Sequence, residues 1–307
     1  MDTQQPAQPE PLSSAQAGRL ALGIRTTLAG AAVNITLALV KAVAGILGHS
    51  FALVADAVES LTDVVGSLVI LGGLAYSLRP ADKNHPYGHG KAEPLAAALV
   101  AGGMAGAAAA IAWGAWREIR NPHFLPESYT LWVLALVVLV KEGMSRYVLR
   151  QNQEVGSAAV KTDAWHHRSD AITSGLAFVG IGIALVGGKG YEAADDWAAL
   201  GAALIIVYNA SLLLREALSE LTDEEAAPPM LNGWGEIALS VEGVASVEKL
   251  HVRKMGTSYY IDMHLEVDGA LTVRRGHEIA HAVKDAIRAA DTRVEDVLVH
   301  VEPVRGT

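Results

Sequence analysis

Six apolar stretches, at residues 20–46, 51–78, 93–116, 129–150, 164–188 and 194–217, constrain this chain more than any other feature. A helix needs about 20 apolar residues to cross a hydrocarbon core roughly 30 Å thick, and each stretch meets that length. In lipid every backbone N–H and C=O must be satisfied within the segment, so helices are the form such stretches take. Composition agrees, because 51% of the 307 residues are hydrophobic and only 19% charged. The expected architecture is a membrane all-α bundle of six transmembrane helices.

Basic residues in the short loops set the orientation, since Lys and Arg are held back on the cytoplasmic side. Arg19 and Arg25 precede the first span, Arg79, Lys83 and Lys91 follow the second, and Arg146, Arg150 and Lys161 follow the fourth. The loops between them are short or acidic, although Arg117 and Arg120 lie in one. A multi-pass protein of the cell membrane with cytoplasmic N- and C-termini is expected. The opening MDTQQPAQPEPLSSAQ is polar and proline-rich, without a cleavable secretory signal.

At Pro228 and Pro229 the apolar background gives way to mixed charged and apolar residues. The segment beyond reads as a helix (231–241), a strand (247–254), a hairpin at Gly256, a strand (259–267), a helix (272–290) and a strand (294–301). That is a small α+β domain. The expected division is a disordered cytoplasmic tail over 1–18, the six-span domain over 19–220, a linker over 221–229 and a cytoplasmic metal-binding regulatory domain over 230–303. The third span is dominated by Gly and Ala, which fits either a close-packing helix or a weakly hydrophobic one.

Carboxylates inside a membrane cost about 2.5 to 3.5 kcal/mol each, so their presence points to function. Span two carries Asp56, Glu59 and Asp63 on one helical face, and span five carries Asp163, His166 and Asp170 at the same spacing. At ~1.5 Å per residue, Glu59 and Asp63 lie about 12 to 18 Å deep, near mid-bilayer, with His166 and Asp170 at a similar depth. Glu59, Asp63, His166 and Asp170 supply three oxygens and one nitrogen, enough for a tetrahedral divalent ion. Asp56 and Asp163 are accessory candidates that also suit a helix cap or a vestibule, and Glu59 alternatively pairs with Lys41 in span one. With no cysteine in the chain, ligands are His and carboxylate, which disfavours Cu(I). The net charge of −9 and the lack of a basic, aromatic-laced patch argue against nucleic acid as a partner.

Two further clusters stand out. After span two, RPADKNHPYGHGKAE places Asp82, His85 and His89 around a Pro86/Gly88 turn, where they converge on one ion or form a polar loop. The soluble domain holds His251, His264, His277, His281 and His300, five of the 11 histidines, together with Glu302. His277 and His281 are one helical turn apart, so His281 is an accessory ligand candidate. His277-Glu278-Ile279-Ala280-His281 also matches the His-Glu-x-x-His pattern of zinc proteases, in which the Glu is general base. The motif sits in a small helix with no third-ligand signature downstream, so a membrane-anchored zinc metallohydrolase is the lesser reading.

SFALVADAVESLTD, RPADKNHPYGHGKAE, KTDAWHHRSDAITS and VEDVLVHVEP together resemble the cation diffusion facilitator family of divalent metal and proton antiporters, from about residue 20 to 303. The resemblance implies a homodimer of six-span protomers with a ferredoxin-like, metallochaperone-like cytoplasmic domain. It implies a transport site at Glu59, Asp63, His166 and Asp170, the four chosen above from spacing and depth. It implies a loop site at Asp82, His85 and His89, and a C-terminal binuclear site at His251, His264, His277 and His300 with Glu302 nearby. It also implies a charge interlock at Lys91 and Asp223. One departure is Glu59, where the family usually has His or Asp, and a site with three carboxylates is harder. The expected substrate and regulatory ion is Zn²⁺, with Mn²⁺, Fe²⁺, Co²⁺ and Cd²⁺ as alternatives and H⁺ as coupling ion. A metal sensor that moves no ions is a further alternative.

Overall fold

The computed structural model describes residues 32–120, 125–155, 158–188, 190–256 and 258–304, with side chains at 148–149 and 151–171 outside the description. Six apolar helices come first: α1 (Ala32–Leu47 as described), α2 (Phe51–Ser77), α3 (Ala92–Arg120), α4 (Ser128–Val155), α5 (Ala158–Gly187) and α6 (Ala193–Leu221). By length and composition α2, α3, α6 and the Ser128–Tyr147 part of α4 are able to cross a membrane, and α1 and the described Ile172–Gly187 part of α5 are shorter apolar helices. This is the helical part of a multi-pass membrane protein. After it come α7 (Pro228–Leu239), β1 (Ser246–Met255), β2 (Ser258–Val267), α8 (Val273–Ala290) and β3 (Val294–Pro303).

The described residues form two compact units, which divide between 65 and 66, 102 and 103, and 209 and 210, the first and third segments making one unit and the second and fourth the other. In the first unit, Leu53, Ile111, Leu134, Ile181 and Ile206 pack with a set of buried alanines. Small residues bring helices together: a Cβ on Gly180 of α5 would lie 2.3 Å from the Ala198 Cβ of α6. Outward-facing Leu136, Leu139, Ile172 and Leu204 are more than half exposed, which suits contact with lipid. Trp113 in the last third of α3, Trp132 at the start of α4 and Trp197 at the start of α6 are also exposed, and Trp is enriched at membrane–water interfaces. Asp195 of α6 caps α2. Its carboxylate accepts hydrogen bonds from Phe51 N (2.6 Å), Ala52 N (3.3 Å) and Ser50 Oγ (2.8 Å). A carboxylate there satisfies orphan N–H groups and meets the positive end of the helix dipole.

In the second unit the sheet order is β1-β2-β3, with β1 antiparallel and β3 parallel to β2. The parallel pair requires a crossover, and α8 supplies it. The element order is the β-α-β-β-α-β ferredoxin-like plan without its first strand. Trp234, Val252, Ile261, Met263, Leu265, Val283 and Ile287 form the core under α7 and α8. Helix α7 starts three residues before its expected Leu231, because Pro228 and Pro229 occupy first-turn positions where a missing N–H costs nothing. Thr272 Oγ1 caps α8 by accepting from Arg275 N at 3.2 Å. At the β1–β2 hairpin Gly256 takes φ +61°, and its N–H donates to Glu220 Oε1 (2.8 Å) while Lys254 Nζ holds Glu220 Oε2 (2.8 Å).

Candidate metal sites

Helix α2 carries Asp56, Glu59 and Asp63 along one face, as the spacing required. Glu59 is 8% exposed and Asp63 half-buried, within a helix of otherwise apolar character. His166, Asp170 and Asp163 fall among the side chains outside the described residues. Lys41 of α1 takes Asp56 and not Glu59: the Nζ lies 3.0 Å from Asp56 Oδ2, and it donates to the Asp56 carbonyl (2.9 Å) and Ser60 Oγ (2.6 Å). The Ser174 hydroxyl of α5 lies 2.9 Å from both Asp56 carboxylate oxygens. Asp56 is therefore held in an ion pair with Lys41 and in contact with Ser174. A second buried lysine, Lys141 on α4, donates to Asn34 Oδ1 of α1 at 2.8 Å.

In the loop after α2, Asp82, His85 and His89 meet, each offering a ligand atom within 4.8 Å of the others. Asp82 organises the turn. Its Oδ1 accepts from Asn84 N (2.8 Å) and His85 N (2.7 Å), an Asx turn that mimics a backbone turn. The His85 backbone N–H, helped by that of Asn84 and the His85 ring, holds the Asp82 carboxyl below its ordinary value against the pull of desolvation. His89 is buried, with its Nε2 3.4 Å from Asp82 Oδ2 and its ring edge-on to Tyr76 at 5.0 Å. The His85 and His89 ring centroids are 4.4 Å apart. Two imidazoles and a carboxylate are a donor set that fits a borderline divalent ion.

The β2–β3 register places His264 beside His300 and Glu266 beside Glu302. His264 Nδ1 is 2.8 Å from Glu302 Oε1, His300 Nε2 is 3.4 Å from the same oxygen, and the two rings lie 4.9 Å apart. Glu248 of β1 completes this group, with Oε2 3.9 Å from His264 Nδ1, and Glu248, His264 and Glu302 present ligand atoms within 4.8 Å of one another. Glu248 was absent from the residues expected. A register shift between Val247 and Lys249 leaves it as the extra residue of a bulge opposite His264. Burial raises the Glu302 carboxyl, but hydrogen bonds with Glu248 and His264 and the charges of His264 and His300 bring it below its ordinary value.

Of the other expected C-terminal residues, His277 lines one pocket with Glu302, between α8 and β3. His251 is exposed, with Nδ1 3.4 Å from Glu225 Oε1, and pairs in register with Asp262. His277 and His281 stack edge to face on the exposed side of α8, with centroids 4.5 Å apart. Glu278, the expected base of the protease motif, is tied to Arg275 Nη1 at 3.1 Å. Lys91 Nζ and Asp223 Oδ1 are 2.6 Å apart within the one chain, and Lys91 also donates to the Glu220 and Lys254 carbonyls.

Apolar helices of membrane-crossing length that bury charged side chains, followed by an α+β domain with His and carboxylate clusters, define a membrane protein that handles metal cations. Residues 27–222 match the family described as "Cation efflux transmembrane domain" and residues 232–304 that described as "Cation efflux protein, cytoplasmic domain". The chain belongs to this cation efflux family, the cation diffusion facilitators, whose members are transporters and not enzymes. It is 33% identical to metal tolerance protein 2 of Oryza sativa subsp. japonica over 299 residues, 89% of this chain and 76% of that one. It is 28% identical to the manganese efflux system protein MneP of Bacillus subtilis over 274 residues, 88% and 92% of the two chains. It is 32% identical to the cation-efflux pump FieF of Pectobacterium atrosepticum over 278 residues, 89% and 90%.

Proposed function

We propose that this protein exports a divalent metal ion, Zn²⁺ foremost, in exchange for protons. Glu59, Asp63, His166 and Asp170 hold the ion near the bilayer midplane. The observation that carries this reading is Glu59, 8% exposed in an apolar helix of membrane-crossing length, with Asp63 one turn further along the same face. A carboxylate at such a depth is costly unless it serves an ion. Alternating access lets the site load from the cytoplasm and release outward. His166 exchanges the cation for a proton, because imidazole titrates near neutral pH and binds metal only when neutral. Three carboxylates with one imidazole also accept harder ions, and the name of MneP supports Mn²⁺ as the second ion to test.

The active form is a homodimer in the lipid bilayer, with both termini cytoplasmic and the helical and α+β parts divided at the 221–229 linker. Metal at the Asp82/His85/His89 loop and at the C-terminal histidines reports cytoplasmic metal and favours one transport state. Uptake of Zn²⁺, Mn²⁺, Fe²⁺ and Co²⁺ into proteoliposomes with an imposed pH gradient tests the transport reading. Gradient-dependent flux that Asp63→Ala abolishes supports it. Absence of flux for every ion, with metal still bound, favours a sensor.

A further inference from the structure

Of the three carboxylates on the α2 face, Asp56 is held by a buried lysine and a serine. Lys41 and Asp56 are 0% and 2% exposed, so both charges are out of water. Asp56 Oδ2 faces the Lys41 ammonium at 3.0 Å, and the Ser174 hydroxyl reaches both carboxylate oxygens. Lys41 in turn has the Asp56 carbonyl and the Ser60 hydroxyl, which satisfies its charge without any other carboxylate.

The position of this group relative to the transport residues follows from the sequence. Asp56 precedes Glu59 by three residues on α2, and Ser174 follows Asp170 by four on α5. Helices α2 and α5 run in opposite directions in an alternating six-span chain. Both offsets therefore point the same way, about 5 Å along the helices from the proposed site, toward the N-terminus of α2. An unneutralised Asp56 would be a fourth carboxylate beside a site that already holds three. It would deepen binding and give an outgoing ion a second place to stop.

We propose that Lys41 is a resident counter-cation that withholds Asp56 from the transported metal and so sets the outer limit of the binding site. This rests on the transport-site reading above. Lys41 and Asp56 act as positioning residues, setting how tightly Glu59 and Asp63 hold the ion without touching it.

The test is Zn²⁺ uptake by the full chain in proteoliposomes, resolved into KM and kcat. Lys41→Met frees Asp56 and should lower KM about tenfold while slowing turnover, as expected for one uncompensated charge a helical turn away. Asp56→Asn frees Lys41 and should raise KM about tenfold. The double variant Lys41→Met/Asp56→Asn should return KM to within about threefold of wild type. A merely structural pair would move both single variants the same way, so KM shifts of one sign overturn the proposal. Unchanged KM in the single variants, or no recovery in the double, overturns it as well. If Lys41→Met fails to fold, a raised KM in Asp56→Asn with recovery in the double still supports the proposal, and failure of either still overturns it. Loss of the underlying transport reading shows separately, as full flux in Asp63→Ala.

Discussion

Lys41 Nζ and Asp56 Oδ2 lie 3.0 Å apart in the apolar interior of the first unit, joining α1 to α2, and Ser174 ties the same carboxylate to α5. Two ions taken out of water are expensive, and they are tolerated here because each has a full set of partners. Removing one partner should therefore cost more than removing both. Lys41→Met or Asp56→Ala is expected to destabilise the purified protein by about 3 to 5 kcal/mol, and Lys41→Met/Asp56→Leu by clearly less. Thermal melts in detergent check this, and equal losses in single and double variants would refute it.

Asp195 concerns the end of α2. It accepts from two backbone N–H groups and one hydroxyl there, so Asp195→Ala should cost about 1 to 2 kcal/mol. Asp195→Asn, which keeps an accepting oxygen, should cost less. Hydrogen exchange at Phe51 and Ala52 should rise in the Ala variant more than elsewhere in α2.

How much of this was readable beforehand depended on which force fixed each element. The spans were legible because lipid demands long uninterrupted apolar runs, and α2 falls on Phe51–Ser77 against an expected 51–78. The loop group was legible because Asp82, His85 and His89 are close in sequence and the turn between them is short. The partner of Lys41 was not. Asp56 and Glu59 share a helical face, and only the packing of α1 on α2 decides which one the ammonium reaches. Asp195 was also missed, since its partners at 50–52 lie far away in sequence. Glu248 was concealed by the bulge, although the three-residue gap between Val247 and Leu250 in an otherwise alternating strand was the signal for it.

That concealed residue yields a direct expectation. Glu248→Ala should weaken Zn²⁺ binding at the C-terminal cluster about as much as His264→Ala, on the order of tenfold, while His281→Ala leaves it nearly unchanged. Titration calorimetry on the full chain carrying Asp63→Ala, His85→Ala and His89→Ala isolates the cluster from the other two proposed sites. A loss with His281→Ala that matches that of Glu248→Ala would contradict this assignment.

The Asp82 turn should depend on acid in a defined direction. Its carboxyl titrates below its ordinary 3.8 in the folded loop, so the turn gains stability above that value and loses it as pH falls through the lower, folded one. Protection of the Asn84 and His85 amides, corrected for intrinsic exchange, should hold from pH 7 to about 5 and fall only below about pH 4. Loss of protection between pH 7 and 5 would assign the order of the loop to its histidines instead.

The most direct test of the account follows protons and metal together. Proteoliposomes that enclose a pH-sensitive dye, with no imposed gradient, are given external Zn²⁺ while metal uptake is measured in parallel. Metal entry accompanied by proton exit, both lost in Asp63→Ala and in His166→Ala, is the predicted result. Metal entry without proton movement, or flux that survives Asp63→Ala, would contradict proton-coupled transport through this site.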